Sequence, residues 1–144
     1  MSVGQFVFML HSHLPYYRKA GMWPFGEENL YECMAETYVP LLNAISELYD
    51  EGIKAKLTVG ITPILAEQLN DEHLKHGFVK YLDSRIAQVS KDLDRYPDPK
   101  VAHSQHLKYL AKYYFDWFSN IKDAFVNKYG MDLIAQFKKF QDLG

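Results

Sequence analysis

Apolar and polar positions along the chain fall into two short strand-like runs and a series of amphipathic helices. Gln5 to Leu10 is a continuous apolar run with β-preferring Phe and Val, the pattern of a strand buried on both faces, and hence of a central, parallel one. A second strand is read at Lys56 to Ile61. Between them, Glu27 opens a helix in which Leu30, Met34, Tyr38, Leu41, Leu42, Ile45 and Leu48 recur at three and four residues. Glu27 and Glu28 complement its macrodipole, Pro40 should kink it, and Gly52 should stop it near Glu51. Thr62 followed by Pro63 launches a short helix to about Leu69. Asn70 and Asp71 cap a longer one carrying Leu74, Phe78, Tyr81, Leu82, Ile86, Val89 and Leu93, ended by Pro97 and Pro99. A further helix carries Leu107, Leu110, Tyr114, Trp117, Phe118, Ile121 and Phe125, and a last one runs from Asp132 to about Asp142 with Gly144 as its cap.

The order strand, helix, strand, helix defines an α/β fold with a parallel pair joined by a right-handed crossover. Two strands that are apolar on both faces leave edges that want neighbours. Either further strands come from another chain, with self-association through those edges, or the sequence is the N-terminal piece of a longer barrel. The 144 residues are read as one unit, residues 1–144, with 48% hydrophobic residues and a net charge of −2. No basic block points to nucleic acid. No apolar run approaches the ~18 residues of a membrane span, and no basic segment followed by a cleavage site marks export, so the expectation is a cytoplasmic protein. The lone Cys33 has no partner for an internal disulfide and reads as a packing residue.

Candidate chemistry concentrates behind the first strand, at His11-Ser12-His13-Leu14-Pro15-Tyr16. Side chains alternate along a strand, so His11 and His13 leave the same face, at the carboxyl end where α/β folds bind ligands. As metal ligands they fall short of a complete site, because no third donor has a reason to converge on them. As neutral imidazoles, each with one donor and one acceptor, they suit vicinal sugar hydroxyls; the plain alternative is a pair of hydrogen-bonded loop residues. The long loop from His11 to Gly26 places Trp23 beside Tyr16, Tyr17 and Phe25, either as a sugar-stacking platform or as apolar anchors for the loop. Glu28, Glu32 and Glu36 climb one helix face and read as solvated, since paired catalytic carboxylates face each other across a substrate. His73 with His76 and His103 with His106 read as surface pairs. Tyr109, Tyr113 and Phe115 lie off the main apolar face, as on a helix buried on two sides or awaiting another domain. Nucleophile elbow, phosphate loop, Cys-x-x-Cys and dinucleotide fingerprint are all missing.

Four motifs in order, His11-Ser12-His13-Leu14-Pro15-Tyr16-Tyr17-Arg18, Gly21-Met22-Trp23-Pro24-Phe25-Gly26-Glu27-Glu28, Ala35-Glu36-Thr37-Tyr38-Val39-Pro40-Leu41-Leu42 and Gly60-Ile61-Thr62-Pro63-Ile64-Leu65-Ala66-Glu67-Gln68-Leu69, resemble the N-terminal part of glycoside hydrolase family 57, most closely its α-1,4-glucan branching members. The resemblance implies the opening portion of a distorted (β/α)7 barrel. It also implies a retaining mechanism on α-glucan without a catalytic metal or other cofactor. His11 and His13 would line the sugar subsite where cleavage occurs, with Trp23 near the donor chain. A retaining glycosidase needs two carboxyl groups about 5–5.5 Å apart. The family's nucleophile and acid/base lie on later strands and have no counterpart here, so a truncated chain without catalytic residues is expected. A family 57 amylase or glucanotransferase, a non-catalytic glucan-binding or assembly module, and a metal-dependent hydrolase are the alternatives.

Overall fold

The computed structural model describes residues 3–4, 6–96, 100 and 102–143. The expectations that fall on Gln5, Pro97, Pro99 and Gly144 lie outside the described residues. Strand β1 (Met9–Ser12) pairs in parallel with β2 (Thr58–Ile61), placing Met9 opposite Thr58, Leu10 opposite Val59, His11 opposite Gly60 and Ser12 opposite Ile61. Thr58 N–H donates to the Phe8 carbonyl at 2.9 Å and Thr62 N–H to that of Ser12 at 3.2 Å, extending the ladder at both ends. The parallel pairing agrees with the sequence reading, but the burial does not. Phe6, Val7, Phe8 and Met9 are all exposed, and the strand begins at Met9, displaced toward the histidines. Among the described residues the sheet has two strands, so nothing covers the apolar run that would be interior in a wider sheet.

Between the strands lie α1 (Glu27–Cys33), a π-helical turn (Met34–Tyr38) and α2 (Val39–Asp50). The turn falls just before Pro40, where a kink is expected. Proline has no N–H and its ring crowds the carbonyl four residues back; the helix widens just before it, with Val39 N–H reaching the Met34 carbonyl. At the other end Gly52 N–H donates to the Tyr49 carbonyl and Ile53 N–H to that of Leu48, a Schellman closure with Gly52 at φ 77°. Helix α3 (Pro63–Asn70) follows β2, and α4 (Glu72–Arg95) follows it with the Asp71 carboxylate accepting from Leu74 N–H at 3.1 Å. Thr62 holds the cap position of α3 without a side-chain cap bond. Helix α5 (Ser104–Asp123) runs into a second π-helical turn (Ala124–Lys128), and α6 (Leu133–Leu143) begins at Asp132, whose carboxylate accepts from Ala135 N–H.

The core lies among the helices and not on the sheet. Leu30, Tyr31, Met34 and Leu42 meet Leu65 and Leu69 of α3, Leu74, Phe78 and Leu82 of α4, and Ile121, Phe125 and Leu133 beyond. Gly77 marks the tightest contact: a β-carbon there would stand 2.8 Å from Tyr31 Cζ and closer still to its hydroxyl oxygen. Gly77→Ala therefore gains roughly 1 kcal/mol of helix propensity but overpacks a buried ring at a cost of about 1–3 kcal/mol. A lowered thermal midpoint is the expected outcome, and a raised one would mean that Tyr31 moves freely.

Candidate functional site

His11 lies in β1 and His13 just beyond it, separated by Ser12, so strand alternation sends both rings to one side. Their centroids are 5.5 Å apart with planes inclined by 43°, and both residues are exposed. Gly60, opposite His11, leaves room for the imidazole: a β-carbon at that position would meet its Nδ1 at 3.2 Å. The rings lie on the open face at the carboxyl end of the strand. Trp23 and Phe25 are 78% and 82% exposed, so neither packs onto the described helical core. Among the described residues Trp23 stands in no ring contact with either histidine; the pair is brought together, and the indole is displayed separately on the loop that leaves it.

The loop is fastened by polar bonds. The Arg18 guanidinium donates to Asp71 Oδ2 at 2.6 Å, and Lys19 N–H donates to Glu27 Oε1 at 2.7 Å. Leu14 and Tyr17 pack against the helical core, and the buried Gln68 side chain meets the backbone at Pro15 and Tyr17. Glu27, 7% exposed, also accepts from the Tyr31 hydroxyl at 3.0 Å and faces His73 Nε2 at 2.9 Å. Burial alone would raise its pKa. The bonds from Lys19 N–H, His73 and Tyr31 outweigh that and hold it below the ordinary value. Asp71 is likewise held low, since Leu74 N–H and Arg18 outweigh its desolvation.

Two surface assignments need correction. Glu28 is largely buried and paired with Arg85, whose guanidinium also lies 4.8 Å over the Tyr81 ring, so the glutamate ladder is not uniformly solvated. His73 is half-exposed but bound to Glu27. His76 does lie exposed, with Nδ1 against the Glu72 carbonyl. Neither Glu27–His73 nor Gln68 was legible as a loop anchor, because the partners lie 46 residues apart in one case and the contacts are to backbone in the other. Gln68 did leave one trace: it is a polar residue on the face shared by Leu65 and Leu69. Among the described residues no group of three or more His, Cys, Asp or Glu side chains converges as a metal site. Two cavities, of about 770 and 730 Å³, lie elsewhere, one flanking β2 and α6 and one beside Glu27 and Arg85, and neither is lined by His11, His13 or Trp23.

A parallel strand pair joined by a helical crossover, with a polar rim at the strand ends, makes this a β/α protein. The family model of glycosyl hydrolase family 57 matches residues 7–144. The chain belongs to that family. A 1,4-alpha-glucan branching enzyme of Thermococcus kodakarensis is 38% identical over 141 residues, which are 98% of this chain and 20% of that enzyme. Its crystal structure, in complex with glucose, superposes with a TM-score of 0.85 at 35% identity over 96% of this chain and 24% of that one. The GH57-type branching enzyme of Pyrococcus horikoshii gives 0.87 at 36% identity, covering 96% and 25%. An alpha-amylase of Thermotoga maritima gives 0.80 at 30%, again covering 96% and 25%. The chain thus spans about a fifth to a quarter of the length of these relatives. Among the described residues no helix is long and apolar enough to cross a membrane.

Proposed function

We propose that this chain supplies the sugar-gripping rim of an α-glucan-acting protein of the 1,4-α-glucan branching type, with His11, His13 and Trp23 as the binding groups. The observation that carries the reading is the pair of exposed imidazoles 5.5 Å apart at the end of β1, followed by a loop that displays an exposed indole. Each neutral imidazole offers one donor and one acceptor to neighbouring hydroxyls. An indole face covers the apolar C–H face of a glucose ring. These groups bind and orient a glucan; they do not cut it. Glu27, the most deeply buried carboxylate among the described residues, is taken up by three partners that favour its charged form, the opposite of what a general acid requires.

Affinity electrophoresis through glycogen, and calorimetry with maltoheptaose, test the reading. Weak binding, with a Kd on the order of 1 mM or about −4 kcal/mol, is expected. Trp23→Ala should abolish retardation, and the double substitution His11→Ala with His13→Ala should weaken binding about tenfold, a loss of about 1.4 kcal/mol. The 144-residue polypeptide should neither release reducing ends from amylose nor form new branches. Unretarded wild-type protein, or turnover by the isolated chain, would overturn the proposal. Likeness to an alpha-amylase keeps hydrolysis of the same bond as a second reading. The open edges of β1 and β2, with Phe6, Val7 and Phe8 exposed, further support self-association at high concentration, to be read by sedimentation velocity.

A further inference from the structure

We infer that Gln68 is a positioning residue that sets His13 for its ligand; the inference rests on the sugar-binding role proposed above. Gln68 is 1% exposed and sits between Leu65 and Leu69, both buried, a place where a primary amide is costly unless every polar atom is bonded. Its Oε1 accepts from Tyr17 N–H at 2.6 Å. Its Nε2 donates to the Pro15 carbonyl at 3.0 Å and to the Ile64 carbonyl, one turn back on its own helix, at 3.4 Å. The amide therefore grips the loop backbone on both sides of Tyr16.

The stretch between Ser12 and Pro15 is fixed at both ends by one segment of chain. On one side the Ser12 carbonyl accepts from Thr62 N–H at 3.2 Å, at the cap position of α3. On the other the Pro15 carbonyl accepts from Gln68, in the second turn of the same helix. Only His13 and Leu14 lie between, and Leu14 packs against the helical core. His13 has few backbone torsions left to vary, so the Cα–Cβ direction from which its ring extends is set before a ligand arrives. Helix α3 acts as a rigid ruler, and the Gln68 amide is its far mark. No other side chain repeats the pattern: glutamate at neutral pH keeps the acceptor and loses the donor, and methionine keeps the shape and loses both.

The test uses the whole chain carrying Gln68→Met or Gln68→Glu, with far-UV circular dichroism, backbone hydrogen exchange by mass spectrometry, and maltoheptaose calorimetry. In Gln68→Met, the hydrogen-bonded amides of Tyr17, Lys19 and Ala20 should exchange at least tenfold faster while α4 and α5 keep their protection, and maltoheptaose affinity should fall about tenfold. Gln68→Glu should show both effects at pH 8 and regain much of the wild-type behaviour at pH 5. Burial raises the pKa of a carboxyl group, and its protonated form again offers one donor and one acceptor. Wild-type protein at the same two pH values is the control for Arg18, Glu27, Asp71 and His73, which fasten the same loop. Unchanged loop exchange, a loosened loop with unchanged affinity, or protection lost equally throughout α4 and α5 would overturn the inference. Should Gln68→Met fail to fold, the pH pair of Gln68→Glu decides. Absence of wild-type affinity would sink the proposed function instead, and exchange at Tyr17, Lys19 and Ala20 would still decide whether Gln68 holds the loop.

Discussion

Phe78→Ala is expected to lower the free energy of unfolding by about 3–5 kcal/mol, the range for deleting a buried aromatic ring. Phe78 is fully buried in α4. Its ring meets Phe125 edge-on at 4.9 Å, Tyr31 at 6.1 Å and Tyr81 at 6.3 Å, so one side chain joins the helix before β2 to α4 and to the turn that ends α5. The neighbouring rings are held by one another and by Glu27, which leaves them little freedom to collapse into the void. Against the roughly 5–15 kcal/mol of a typical domain the loss is large. The core stands among the helices, with Ile61 of β2 packed against it, and among the described residues there is no second core to compensate. Urea unfolding followed at 222 nm measures the loss. A value under 1 kcal/mol would mean that the helices are not packed as described.

The second large effect is expected at Glu27. Glu27→Gln keeps one oxygen that can accept from Lys19 N–H but turns an NH2 toward the buried Tyr31 hydroxyl, at roughly 1–3 kcal/mol for a buried donor left unsatisfied. The sign of the accompanying pH dependence follows from the lowered pKa. The unfolded chain binds this proton near the ordinary value of 4.5 and the folded chain only below it. The stabilisation is therefore complete above that value and is lost as pH falls through the folded pKa. Glu27→Gln should be less stable than wild type at pH 7, with the gap closing as pH falls below the ordinary value of 4.5 and through the lowered folded pKa. The His73 partnership is half-exposed and adds less. Midpoints of thermal unfolding across that range are the measurement, and a gap that widens toward low pH would contradict the network.

Loop order follows from the same residues. Trp23 and Phe25 extend into solvent while Arg18, Lys19 N–H, Pro15 and Tyr17 are tied down. An aromatic residue on a long loop reads equally well as anchor or platform while only the sequence is known. Polar tethers hold the loop, and both aromatic side chains stand exposed on it.

Local chemistry determined a good deal from the sequence alone. Period and caps placed the helices within a few residues, Pro63 and Asp71 marked two starts, Gly52 marked an end, and the parallel pair followed from the alternation of strand and helix. His11 and His13 share a face because a strand has a period of two, which needs no partner to be true. Only the tertiary structure decided the rest. The apolar run before His11 is exposed because burial is a property of neighbours, and the described sheet has two strands. The helix before Pro40 widens into a π turn. Glu28 and His73 became paired because α1 and α4 happen to cross there. Gln68 acquired its role through backbone atoms 51 and 53 residues away, and a contact to backbone leaves no mark on the identity of the residue it holds.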